Sequence, residues 1–166
     1  MKLYHGGLDV IASPRILDSQ RLLDFGKGFY TTTNREQAEN WALIKQKRVG
    51  QNSKAIVTVY ELDDHLFDGV NYKVLIFPKA NEEWLDFIIS NRTGSQQYDF
   101  DIVKGAVAND TLYATLSLFE AGLLSKKETI VRLKTHQLFD QISFHNREVL
   151  KELKFVESYM VVSHTE

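Results

Sequence analysis

Residues 25–34 read FGKGFYTTTN, and the interpretation of the whole chain starts from this stretch. Its two glycines flank Lys27, and glycine adopts backbone angles that other residues avoid and lets other groups approach closely. The aromatic and β-branched residues that follow have a strong strand propensity. Asn34 is a typical N-cap, and Gln37 lies three residues later, as in a capping box. The stretch therefore predicts a tight turn, a short strand over residues 29–33 and then a helix.

A glycine pair before a strand is common and does not by itself indicate a ligand site. Lys27 between the glycines suggests a phosphate-binding loop. However, the spacings G-x-x-x-x-G-K-[ST] and G-x-G-x-x-G are both absent from the sequence. The turn therefore does not match a nucleoside-triphosphate loop.

The hexapeptide FGKGFY at residues 25–30 resembles the FGKGIY signature of ADP-ribosyltransferases of the His-Tyr-Glu type, which include the poly-ADP-ribose polymerases. Those enzymes begin their catalytic fold with a strand that ends in His-Gly, and this chain has LYHGG at residues 3–7. They also carry an aromatic residue on the next helix, where this chain has Trp41. The resemblance covers the first quarter of the chain closely and the rest only in the order of elements. It is strongest to a compact bacterial branch.

The resemblance implies roles for five residues around NAD. His5 would hydrogen-bond a ribose hydroxyl of the adenosine half, and the Gly6 backbone would pair with the nicotinamide amide. Gly28 would line the NAD cleft, and Tyr30, two residues later, would be the aromatic wall of the nicotinamide site, with Trp41 beside it. A cation over an aromatic face gains about 0.5–2 kcal/mol, which suits a pyridinium ring. From the residues alone, His5 could instead be a strand histidine whose hydrogen bonds are made within the protein. Tyr30 and Trp41 could both belong to the core.

The third position of the family motif is a glutamate on a late strand, and this chain has no evident glutamate there. The late strand reads FDQISFH at residues 139–145, and we expect Gln141 to take this position. An amide could hold the nicotinamide ribose but is not a base, and general-base assistance is typically worth about 10²–10⁴-fold. Asp140 and Asp110 are the alternative carboxylates. Successive strand side chains face opposite ways, so only one of Gln141 and Asp140 can face the cleft.

Two of these candidates also have plain structural interpretations. Asp110 could be an ordinary N-cap for the helix that follows it. His145, at the end of the late strand, could position an acceptor or could simply be a surface histidine.

Length and composition indicate an ordinary globular domain. The 166 residues suffice for one domain with a buried core, and we expect a single domain over residues 1–166. The chain is 43% hydrophobic and 25% charged, and its net charge of −2 gives no indication of strong attraction to nucleic acid. The basic residues at positions 126, 127, 132, 134 and 136 are interpreted as a solvated helix face rather than a nucleic-acid patch.

The residue types that are missing limit the chemistry. The sequence has no cysteine, which excludes disulfides, cysteine nucleophiles and thiolate metal sites and fits a reducing compartment.

No segment reads as a signal peptide, and no apolar run approaches the roughly 20 residues that span a membrane. We therefore expect a cytoplasmic protein without a membrane partner. The histidines show no H-x-H or H-E-x-x-H spacing, so we expect no metal. The acidic residues at 61, 63, 64 and 68 are read as a solvated turn, with metal binding as the alternative.

The pattern of strands and helices is mixed, without a regular β-α-β alternation, which predicts an α+β domain. Strands are predicted at residues 1–5, 29–33, 55–62, 98–108, 137–145 and 155–162, with a strand or a helical turn at 73–77. Helices are predicted at 35–47 and 112–121, and after caps at Asn81, Ser125 and Asn146. The resemblance implies the ADP-ribosyltransferase-like split fold, in which two small packed sheets flanked by helices enclose an NAD cleft.

The resemblance also implies a function. It points to an NAD-dependent mono-ADP-ribosyltransferase with NAD as co-substrate and an unidentified protein, nucleic-acid or small-molecule acceptor. Compact bacterial members often act as toxins or defence effectors, so a small antitoxin is an implied partner. The missing glutamate leaves two alternatives open: an NAD glycohydrolase, with water as the acceptor, and a catalytically weak fold that binds a nucleotide or a partner protein.

Overall fold

The computed structural model of the protein describes residues 1–18, 23–50, 52–95, 99–107, 110–133 and 139–162, with only the backbone for residues 110–113. Within these residues, seven strands and five α-helices are present. The strands are β1 (Lys2–Gly7), β2 (Phe29–Thr31), β3 (Ile56–Glu61), β4 (Val74–Ile76), β5 (Ile102–Ala106), β6 (Asp140–Phe144) and β7 (Lys154–Met160). The helices are α1 (Arg35–Val49), α2 (Glu82–Arg92), α3 (Asp110–Glu120), α4 (Lys126–Leu133) and α5 (Arg147–Leu150).

The strands form two small sheets. The first has the order β1-β3-β7 and is antiparallel throughout. The second has the order β2-β6-β5-β4, in which only the β4–β5 pair is parallel. In the described part of the chain, one backbone bridge joins the two sheets: the Tyr4 amide donates to the Thr32 carbonyl at 2.9 Å, and the Thr32 amide donates to the Tyr4 carbonyl at 3.0 Å. The predicted α+β class with two small sheets is therefore confirmed.

Three clusters of buried apolar side chains pack the sheets and helices together. One lies between the two sheets and contains Leu3 and Tyr60 from the first sheet and Ile142 and Phe144 from the second. A second core packs α2 and α4 with β5 and includes the completely buried Trp84. The third joins α1 to the first sheet through small side chains, among them Ala38 and Ala42. Each layer thus buries one face, as expected for an α+β domain.

The predicted helix starts are confirmed by their side-chain caps. The amide oxygens of Asn34, Asn81 and Asn146 each accept a backbone N–H three residues later, at 2.8–3.0 Å. Ser125 and Glu128 form a complete capping box, with reciprocal bonds of 3.2 and 2.8 Å. At Asn34 the box is only half made, because its own N–H donates to Thr32 Oγ1 instead of to Gln37.

Several strand boundaries differ from the prediction. The strand expected over 98–108 is the shorter β5, and residues 98 and 108 lie outside the described residues. The strand expected over 137–145 begins at Asp140. Gly105 marks a close approach, because an added Cβ would lie 3.0 Å from the Phe25 ring and 3.3 Å from Phe77.

Members of the acidic cluster at residues 61–68 and of the basic stretch at residues 126–136 make caps and ion pairs within the fold. Asp63 caps a 3₁₀ helix over Asp64–Asp68, and Asp64 pairs with the N-terminal ammonium at 2.9 Å. Among the described residues, no three histidine, aspartate or glutamate side chains are grouped as metal ligands would be. Lys126 of the basic stretch pairs with Asp86, whereas residues 134 and 136 lie outside the described part of the chain. No helix in the described residues is long and apolar enough to cross a membrane.

The contact of α1 with β1 gives a test of the fold. An added Cβ at Gly6 would lie 2.0 Å from the Ala38 carbonyl oxygen, whereas at Gly7 the nearest atom belongs to the His5 ring, at 3.4 Å. We expect Gly6→Ala to lower the free energy of unfolding by about 1–3 kcal/mol or more, since the helix must move away from the strand. Gly7→Ala is the matched control, with a smaller loss. Equal urea midpoints for the two variants would contradict this packing.

Candidate functional site

A cavity of about 1300 Å³ opens beside the junction of the two sheets. Its walls come from the end of β1 and the segment after it, from the turn before β2, from one face of α1 and from β6. Five residues that the sequence analysis proposed as site residues line it: His5, Gly28, Tyr30, Trp41 and Gln141. These residues come from β1, the signature turn with β2, α1 and β6, so the tertiary structure brings them together from across the chain.

His5 is held in one protonation state. Its Nδ1 lies 2.7 Å from the Tyr30 carbonyl oxygen, which can only accept, so Nδ1 carries the proton. Burial and, to a smaller extent, the charge of Lys45 lower the pKa of His5 to about 4, although the hydrogen bond to the Tyr30 carbonyl opposes this shift. The ring stacks on Phe29 with centroids 4.4 Å apart. His5 is therefore neutral at pH 7, and its Nε2 is left as a hydrogen-bond acceptor on the cavity wall.

Tyr30 closes the turn that precedes it. Its hydroxyl donates to the Gly26 carbonyl at 2.5 Å and accepts the Phe25 N–H at 3.1 Å, and the residue also lines the cavity. The Leu23 carbonyl accepts the Gly26 N–H at 3.0 Å and completes the turn. The tyrosine thus serves both as cavity wall and as the residue that sets the shape of the signature turn.

The two glycines of the signature are required for different reasons. Gly26 has φ +83°, in the left-handed region that glycine occupies at no steric cost. At Gly28 an added Cβ would lie 2.8 Å from the Phe144 carbonyl oxygen and 2.9 Å from the His145 ring. Gly28 therefore lets the turn lie directly against the end of β6, which brings Tyr30 close to that strand.

Gln141 and Asp140 have opposite surroundings. Gln141 is only 4% exposed and lines the cavity, and its Nε2 is a buried donor without a partner in the described structure. Buried amide donors are normally paired, so an unpaired one that lines a cavity suggests a ligand atom. The Asp140 carboxylate instead accepts bonds from the Thr32 hydroxyl and from the Thr33 amide and hydroxyl at 2.8–3.0 Å. It braces the start of α1 and does not line the cavity.

Gly6 and His145 do not line this cavity. Gly6 is buried beneath α1, and its carbonyl accepts the Lys45 ammonium at 2.6 Å. Asp110 is the first residue of α3 rather than the residue before it, and its side chain lies outside the described part of the chain. His145 lines a smaller cavity of about 380 Å³ on the other side of the signature turn.

His145 is half-buried and acts as a clamp rather than a surface histidine. Its Nδ1 donates to the Lys27 carbonyl at 2.7 Å, and its Nε2 accepts the Ser143 hydroxyl at 2.8 Å. Burial lowers the pKa of His145, although the bond to Lys27 opposes the shift. The residue therefore fixes the signature turn to the end of β6.

The sequence analysis missed the charge of the cavity. Five cations line it, namely Arg15, Lys27, Lys45, Lys47 and Arg48, against the carboxylates of Asp9 and Asp24 among the described residues. Three of these cations lie near the end of α1. Their spacing from Trp41 would have placed Lys45 and Arg48 on the same helix face.

The fold and the cavity define the chain as an α+β protein with a large ligand-sized cavity beside the junction of two small sheets. Residues 1–155 match the model of the family described as "Protein of unknown function (DUF3990)", and the chain belongs to this family. No curated protein and no solved structure matches the chain.

The protonation of His5 predicts a pH dependence of stability. The unfolded state takes up a proton near the ordinary histidine pKa of 6.5, but the folded state does so only near 4. The titration of His5 therefore leaves stability unchanged above pH 6.5 and lowers the free energy of unfolding by about 1.4 kcal/mol for each unit that the pH falls between 6.5 and 4. In His5→Asn, the Asn amide can still donate to Tyr30 without titrating. In urea titrations at a series of pH values, we expect the unfolding free energy of the wild type to fall relative to that of this variant by about 1.4 kcal/mol per pH unit below 6.5. A difference independent of pH would show that His5 is not held neutral.

The hydroxyl of Tyr30 gives a second test. Tyr30→Phe leaves the Phe25 N–H and the Gly26 carbonyl without this partner, which we expect to cost about 1–3 kcal/mol of unfolding free energy. Tyr4→Phe is the control, because the Tyr4 hydroxyl makes no hydrogen bond within the described residues. Chemical denaturation of both variants checks this. Equal losses would mean that the turn does not depend on Tyr30.

Proposed function

We propose that the protein is an NAD-dependent mono-ADP-ribosyltransferase with an ADP-ribosyltransferase-like split fold. The observation that carries the proposal is the convergence of His5, Tyr30 and Gln141 in one cavity. They stand at the first, second and third positions of the motif that the sequence resembles, and they are separated by as many as 136 residues in sequence. Trp41, on the adjoining helix, lines the same cavity.

The residues present fit a nicotinamide dinucleotide. The cavity exceeds the roughly 300–1,000 Å³ of most ligand pockets, so it has room for an extended molecule. A cation on its wall away from α1, Arg15, suits a pyrophosphate. The Nε2 of His5 can accept a ribose hydroxyl, and the unpaired Nε2 of Gln141 can donate to a ribose or carboxamide oxygen. The rings of Tyr30 and Trp41 offer aromatic walls to the pyridinium ring.

The proposed transfer requires little covalent chemistry from the protein. The bond between the nicotinamide nitrogen and C1′ of its ribose breaks, and its electron pair leaves with nicotinamide. A lone pair of the acceptor then forms the new bond to C1′, and the acceptor loses its proton to solvent or to a base. The side chains hold the ring and the ribose while positive charge develops on the sugar, so positioning and preorganised polar groups supply the catalysis.

One observation favours the two alternatives. The residue in the place of the family glutamate is an uncharged amide, and the neighbouring Asp140 carboxylate is occupied by Thr32 and Thr33. Without a base, transfer to a weak nucleophile is slow. Water then competes as the acceptor, or NAD stays bound without reacting. NAD glycohydrolysis and binding without turnover therefore stay as second candidates. A role as a cytoplasmic toxin or defence effector, with a small antitoxin as partner, belongs to the same proposal.

Nicotinamide release from NAD, measured in EDTA because we expect no metal, tests the function. Gln141→Ala should lower kcat more than it raises KM, since a contact to the ribose tightens as the ring flattens towards the transition state. Gln141→Glu should raise hydrolysis, because a carboxylate stabilises the developing positive charge. Asp140→Asn is the control, with lower stability but normal release by the folded protein.

The outcomes separate the three candidates. Transfer of labelled ADP-ribose to extract components supports the transferase, and release without transfer supports the glycohydrolase. NAD binding without release supports the binding fold. Normal turnover in Gln141→Ala together with its loss in Asp110→Asn would move the essential residue to Asp110. A protein that neither binds nor cleaves NAD would overturn the proposal.

A further inference from the structure

One face of α1 forms a continuous wall of the large cavity. Six of its residues follow one another at helical spacing and all line the cavity: Gln37, Asn40, Trp41, Ile44, Lys45 and Arg48. The face changes along its length from amides to apolar rings and chains and then to cations. At about 1.5 Å per residue, the cationic end lies roughly 10 Å along the helix from Trp41. A ligand that extends from Trp41 along this wall would therefore reach the cations.

The cations at this end have no carboxylate partner. Lys45, Lys47 and Arg48 make no ion pair within the described residues. Near the other end of the helix, by contrast, Arg35 pairs with Glu39 at 2.9 Å. Removal of its ammonium from water lowers the pKa of Lys45, and the nearby charge of Arg48 lowers it further. Two like charges are thus held close together beside the cavity.

The position of Lys45 ties this cationic end to His5. Its ammonium turns back to the Gly6 carbonyl at 2.6 Å, and its charge acts on the neighbouring His5 ring. Cations near a helix C-terminus are often explained by the helix dipole, which accounts for Lys47 and Arg48. It does not account for Lys45, whose ammonium bonds to β1 rather than to the last carbonyls of α1.

We propose that Lys45 and Arg48 bind a phosphomonoester on the ribose that His5 contacts, so that the cavity prefers NADP to NAD. The assignment rests on the proposed function, which places the adenosine ribose at His5. A phosphomonoester adds about −1.5 to −2 charge at pH 7 and offers three acceptor oxygens. The ammonium and guanidinium groups form charge-assisted hydrogen bonds with such oxygens. Arg15, elsewhere on the cavity wall, remains for the pyrophosphate.

Calorimetric titration of the full chain with NAD and NADP at one fixed salt concentration tests this. We expect NADP to bind the wild type about tenfold more tightly or better, which is about 1.4 kcal/mol. The Lys45→Met/Arg48→Met double variant should lose this preference and bind NAD nearly as the wild type does. The double variant Lys54→Met/Lys79→Met is the charge-matched control, because both lysines are exposed and neither lines the cavity. A thermal melt confirms that each variant is folded.

The other outcomes each contradict the assignment. Equal binding of NAD and NADP by the wild type, which needs no variant, overturns it while leaving the proposed function intact. Equal weakening of both ligands in the double variant would place the pyrophosphate at these cations. A single-stranded oligonucleotide that binds more tightly than NADP, and is weakened by the same variants, would mean that they serve a polyanion. If neither dinucleotide binds, the proposed function fails together with the assignment.

Discussion

The pair of hydrogen bonds between Tyr4 and Thr32 is the constraint on which the candidate site depends. It is the only bridge between the two sheets in the described structure, and it sets the end of β1 beside the end of β2. The residues on either side are then brought together, so that the His5 ring meets the Tyr30 carbonyl at 2.7 Å. The cavity opens at this junction because each sheet continues away from it with its own core and its own helices.

The signature turn is held from three directions. Tyr30 bonds to it from within through its hydroxyl, and the Asn91 amide at the end of α2 donates to the Asp24 carbonyl at 3.2 Å. His145 holds the Lys27 carbonyl from the end of β6. A turn with so many anchors keeps its shape when a ligand enters or leaves. A rigid aromatic wall needs this, because a binding site gains affinity when its groups are ordered beforehand.

The uncharged groups of the candidate site lie at the junction of the sheets, and its cations lie farther out. The groups nearest the junction are a neutral imidazole, a phenol ring and a primary amide, none of which carries charge at pH 7. The charge lies farther out, on the cations of α1, the turn and the segment after β1. Such an arrangement attracts an anionic ligand over distance and then fixes its uncharged parts by hydrogen bonds and aromatic contact. Under the proposed function, such a site would offer little direct stabilisation to a developing cation, so we expect Gln141 to decide how active it can be.

The sequence by itself determined the local features of this protein. The caps at Asn34, Asn81, Ser125 and Asn146 and the strand after the turn were predictable, because each depends on residues within about four positions of one another. The gathering of candidate site residues was anticipated only through a resemblance between motifs. Only the tertiary structure decided which way Gln141 and Asp140 face and where the cations of α1 lie. Those outcomes depend on contacts between residues far apart in the sequence. Thr32 and Asp140, like β2 and β6, are more than 100 residues apart, and Lys45 is 39 residues from Gly6. No local pattern encodes such pairings.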